Sequence, residues 1–113
     1  MSLPAAAQQP YSESLVDCAS LVTISNRMDP SRAEGRKGQA LQDYGNRLLI
    51  GAVRQAEIEG HSDAVGHVRA LVLQKNAHWD DKGMMFVFSE EFRDWMSYCR
   101  KFARHVGITP PAR

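Results

Sequence analysis

The sequence predicts an all-α fold, a small up-down four-helix bundle with one disulfide between its first and last helices. Three observations predict it. Apolar residues recur at helical spacing in four separate stretches. The links between those stretches carry glycine, proline and aspartate turn signals. No two alternating segments pair as a hairpin. At 113 residues and 12.6 kDa the chain makes one domain, and its 43% hydrophobic and 24% charged residues suit a folded core, not a disordered segment.

Residues 1–11 read as a flexible leader, residues 12–108 as a single helical domain, and residues 109–113 as a C-terminal tail. Pro4 and Pro10 discourage helix in the leader. In helix one, about 12–27, Leu15, Cys18, Ala19 and Val22 hold one face, and Glu13 sits in the favourable first turn. The β-branched run Val22, Thr23, Ile24 equally favours a strand. Asp29-Pro30 is a cap followed by proline at the first helical position, so a second helix starts near residue 30. Its secure part begins at Gln39, with Leu41, Tyr44, Leu48, Ala52 and Gln55 on one face, and it reads as the central helix. Small residues at Gly45, Ala52 and Ala56 allow a neighbour to come close.

Gly60 then Ser62-Asp63 mark a stop and a restart, giving helix three over about 63–76. Val65, Val68 and Val72, widened by Leu71 and Leu73, make it substantially buried. His78 to Gly83 reads as a polar loop, and Met84 to Phe88 as a buried connection. Helix four, about 89–106, has Ser89 as its cap and Phe92, Trp95, Met96, Cys99, Phe102, Ala103 and Val106 as its stripe. Phe88 is placed to staple its start, and Gly107-Ile108 to end it.

Cys18 and Cys99 both fall on apolar stripes, and in an up-down order the helices carrying them are adjacent, so the pairing and the topology support each other. Two buried free thiols are the plainer alternative. The small-residue stretch Pro4 to Pro10 resembles the lead-in after a signal-peptidase site, and with one even cysteine pair it points to a mature periplasmic or secreted domain; a cytoplasmic location is the alternative. No apolar run reaches the length of a membrane span.

The net charge is only +1, which argues against a dedicated nucleic-acid binder. It is unevenly spread: residues 1–30 carry −2, 31–56 carry +3, 57–91 carry −4 and 92–113 carry +4. Such blocks suit antiparallel helices that neutralise one another.

Candidate chemistry is sparse. Cys99 lies beside Arg100 and Lys101, but His105 is on another side of the helix, so Cys99 reads as structural and not as a nucleophile. His61, His67, His78 and His105 lack metal-ligand spacing; Asp63 and His67 form only an i, i+4 pair. No catalytic residue, metal set or cofactor is implied. Glu34 to Gly38 has glycines and bases without the rest of a phosphate loop and reads as a frayed helix start, with a small anionic contact patch including Arg32 as the alternative.

These features lead to the expectation of a non-enzymatic exported helical domain, for interaction or structure, with a protein partner contacting Tyr44, Trp79 or Met84 to Phe88 if they are exposed. The first rival is a small ligand-binding protein or enzyme using His78, Trp79, Asp80 and Asp81. The second is weak nucleic-acid binding through Arg32, Arg36, Lys37 and the basic end of helix four.

Overall fold

A computed structural model describes residues 9–111. Among them the fold is all-helical, with no strand, and five α-helices in place of four: α1 (Tyr11–Val22), α2 (Ile24–Met28), α3 (Arg36–Ile58), α4 (Ala64–Asp80) and α5 (Glu90–His105). Two short 3-10 helices, Pro30–Glu34 and Met84–Phe88, connect them. The expected first helix is thus broken in two at Thr23, within the β-branched run. Thr23 Oγ1 bonds back to the Ala19 carbonyl at 2.8 Å, a local competitor for the helical hydrogen bond.

The helix ends follow the expected chemistry. Asp63 accepts a hydrogen bond from the Gly66 N–H at 3.0 Å, and Ser89 Oγ from the Phe92 N–H at 3.1 Å. Gly60 and Gly107 take φ of 94° and 84°, where the next residue's N–H reaches back to close the helix before it. Phe88 does not staple α5; it is exposed.

The centre of the bundle is α1, not the Gln39-containing helix. Ser12, Ser14, Asp17 and Ser20 are buried together with Leu15, Val16, Cys18, Leu21 and Val22, so α1 is enclosed on every side. It runs antiparallel to α3, with Ser12 at Glu59 and Thr23 at Gly45, and to α5, with Tyr11 at Phe102 and Cys18 at Cys99. Ser12 bonds through its main-chain N–H and its hydroxyl to Glu59, at the end of α3, while Gly45 receives Thr23 so closely that a Cβ there would stand 2.7 Å from Thr23 Cγ2. Tyr11 packs edge-on against Phe102 at 5.0 Å. Cys18 and Cys99 form the predicted disulfide, with Cα atoms 5.5 Å apart.

The polar residues of α1 stay buried because other helices supply partners. Asp17, 2% exposed, accepts hydrogen bonds from Trp79 Nε1 at 2.9 Å and Gln9 Nε2 at 2.5 Å, and Lys75 Nζ lies 3.3 Å away. Ser20 Oγ donates to Asn76 Oδ1 at 2.7 Å. A buried charge without such partners costs several kcal/mol.

Helix α4 is less buried than its valines suggested. Val65 and Leu73 are exposed, while Ala64, Val68, Leu71 and Trp79 form its inner face. Met84 to Phe88 is likewise not a buried connection: its 3-10 turn sends Phe86 into the core and leaves Met84, Met85 and Phe88 more than 70% exposed. The leader begins outside the described residues, and its last residue, Tyr11, already belongs to α1.

Candidate functional site

His78, Trp79, Asp80 and Asp81 do not form a loop site. Helix α4 continues to Asp80 because nothing before Gly83 breaks it, and the four side chains diverge. Trp79 is 3% exposed, bonded to Asp17 and packed on Trp95 and Phe86 with ring centroids 5.1 and 5.6 Å away. Asp80 turns to Arg27, whose guanidinium grips its carboxylate through Nε at 3.1 Å and Nη2 at 2.8 Å. His78 is exposed beside the Trp79 ring, and Asp81 is exposed. Tyr44, another candidate contact, is buried as well.

The histidines give no metal site. His61 and His67 stack at 3.7 Å between centroids, while Asp63 is engaged in capping α4. No group of three or more potential ligands occurs among the described residues.

The candidate anionic patch, by contrast, acquires a setting. Arg32, Arg36 and Lys37 border a cleft of about 460 Å³, within the size range of small-molecule sites. Five segments build it: the α1–α2 junction, the first 3-10 helix, the start of α3, the second 3-10 helix and α5. Leu21, Ile24, Leu41, Val87, Phe92 and Met96 give it an apolar floor.

Its inner wall depends on Asn26. Asn26 Nδ2 donates to the Gly38 carbonyl at 2.9 Å and so clamps α2 to the first turn of α3. The clamp needs glycine at residue 38, because a Cβ there would overlap the Arg32 carbonyl. With Nδ2 committed, Asn26 Oδ1 is left buried without a hydrogen-bond partner among the described residues. Gly35 begins α3 with no side-chain cap, so the first turn bordering the cleft carries the positive end of a 23-residue helix.

The charge blocks do not neutralise one another as expected. Glu13 and Asp17 pair with Lys75, and Arg27 with Asp80, all joining α1 or α2 to α4. Among the described residues the basic 31–56 and 92–113 segments meet an acidic segment in a single ion pair, the local one between Arg32 and Asp29 at 3.6 Å. The two basic segments instead approach each other. Arg47 covers the Tyr44 ring at 5.5 Å, and Arg100 and Arg104 act on the same phenol. Burial nevertheless wins over the three cations and raises the Tyr44 pKa above the ordinary tyrosine value. A smaller cavity beside Tyr44 and Arg100 shares Val22, Leu41 and Met96 with the cleft, which extends the apolar seam between α3 and α5.

The arrangement can hold an apolar group and attract an anion. Sequence reasoning found its cations but missed Asn26 and the floor, which no single segment displays. Compared with known proteins, the chain matches no family model, no curated protein sequence and no solved structure.

Proposed function

We propose that this is an exported, non-enzymatic helical binding domain, whose disulfide-tied frame presents the cleft at the start of α3 to a ligand. The observation that carries the reading is the apolar floor beneath Arg36 and Lys37, which form no ion pair among the described residues. A dry, concave surface with a few placed polar groups is how proteins bind small molecules. The Cys18–Cys99 bond supports the oxidising compartment, since such bonds persist in secreted and periplasmic proteins.

Native mass spectrometry of protein isolated from its own host without detergent tests both parts. The expected species is the oxidised chain carrying a noncovalent small-molecule adduct that Leu41→Glu abolishes. Two free thiols would overturn export, and an adduct-free wild type would overturn the binding role.

A protein contact is the second reading, favoured by the exposure of Met84, Met85 and Phe88 on one short turn. Sedimentation of the purified chain beside Met85→Asp/Phe88→Asp addresses a second copy as the occupant: self-association lost in the variant supports it, and a wild-type monomer at high concentration opposes it.

A further inference from the structure

We propose that Met84 and Met85 form an oxidant-accepting modification site, where a peroxide converts both thioethers to sulfoxides and turns an apolar surface polar while the fold stays intact. The site needs neither the cleft nor a docked partner.

Oxidisable sulfur is spread very unevenly over the molecule. Cys18 and Cys99 are joined to each other, and the described residues contain no free thiol. Met28 and Met96 are partly buried against the core. Met84 and Met85, by contrast, are 74% and 76% exposed and adjacent in the chain, so an oxidant arriving from solvent meets two thioethers at one point. The indoles of Trp79 and Trp95, which are also open to oxidation, are buried.

The turn that carries the two methionines is held by other residues. Gly83, with φ of 87°, starts it. Phe86 anchors it, buried and stacked on Trp79 at 5.6 Å. Ser89 closes it, donating to the Phe86 carbonyl from its N–H at 2.9 Å and from its hydroxyl at 2.6 Å. Oxygen added to Met84 or Met85 therefore sits on a side chain that the core does not need, whereas oxygen on Met96 enters the apolar floor of the cleft. In the reaction the sulfur lone pair attacks one oxygen of hydrogen peroxide. An S–O bond forms, the O–O bond breaks, the sulfur gives up two electrons, and the transferred oxygen passes its proton to the departing hydroxide, which leaves as water. With Phe88, also exposed on this turn, the thioethers make an apolar patch; the sulfoxides break it up with two strong hydrogen-bond acceptors.

The test treats the full, disulfide-bonded chain with increasing hydrogen peroxide and follows each methionine by peptide mass. Met84 and Met85 are expected to gain oxygen at least about tenfold faster than Met28 and Met96. The doubly oxidised protein should leave a hydrophobic-interaction column earlier than the untreated one and melt within about 4 °C of it. Methionine sulfoxide reductases of both epimer specificities should restore the original retention. Met84→Leu/Met85→Leu, an apolar exchange on exposed side chains, should keep its retention through the same treatment. Oxidation of Met28 or Met96 as fast as the exposed pair, or a melting temperature lowered by more than about 4 °C, would overturn the assignment without any variant having to fold. An unchanged retention after double oxidation, or a peroxide-induced shift that persists in the leucine variant, would overturn the change of surface.

Discussion

Replacing Cys18 and Cys99 by alanine removes the covalent tie between the central helix and the last one. The two residues are 81 positions apart, and loop-closure entropy for a ring of that size amounts to about 4.5 kcal/mol at 25 °C. Both side chains are in the core, at 0% and 1% exposure, so losing the sulfurs adds a packing cost of about 1 kcal/mol. A domain of this size has about 5–15 kcal/mol of stability in total. With an unfolding entropy of about 2.1 cal/mol/K per residue, the combined loss lowers Tm by about 20 °C. Thermal and urea melts of the oxidised wild type, the reduced wild type and Cys18→Ala/Cys99→Ala measure it. The reduced protein and the double variant should fall nearly together, because both lose the same restraint on the unfolded chain. A Tm drop below about 5 °C in both would refute the entropic reasoning.

Two further perturbations probe the buried polar groups. Asp17→Ala strips Trp79 Nε1 and Lys75 of their shared acceptor and should cost about 3–5 kcal/mol in urea unfolding, whereas Asp17→Asn, which keeps an oxygen for the indole, should cost less; equal losses would show that the charge and the hydrogen bond to Trp79 do not act separately. Burial raises the pKa of both Tyr44 and Tyr98, so the native state holds their protons longer than the unfolded chain does. Their contribution is whole below the ordinary phenol value of about 10 and is lost as pH rises through the folded-state values. Alkaline titration followed by phenolate absorbance and circular dichroism should show unfolding in that range, shifted upward by Tyr44→Phe; an unshifted transition would count against the assignment.

Helix α5 is the element most legible in the sequence, since one unbroken apolar stripe, a serine cap and a terminal glycine all agree. Helix α1 reads correctly for Leu15, Cys18, Ala19 and Val22 but hides its position. Ser12, Ser14, Asp17 and Ser20 look like a solvated face, yet Glu59, Trp79, Lys75 and Asn76 arrive from distant parts of the chain to satisfy three of the four, and Ser14 shares a hydrogen bond with Tyr98. Local spacing carries no trace of such partners. The same blindness turned His78 to Asp81 into a loop: polar letters around Trp79 mask a helical turn that faces the core. The cleft was half visible. Arg32, Arg36 and Lys37 stood out as cations, but its floor is drawn from segments more than 60 residues apart, from Leu21 to Phe92.

The enclosed position of α1 also has a bearing on how the domain is made. This helix is the first of the five to leave the ribosome, and it is the one that every other helix must wrap. Until the residues of α5 have been synthesised, its apolar and polar sides alike face water without their partners, and Cys18 has no Cys99 to join. Assembly of these five helices therefore waits until α5 has been made.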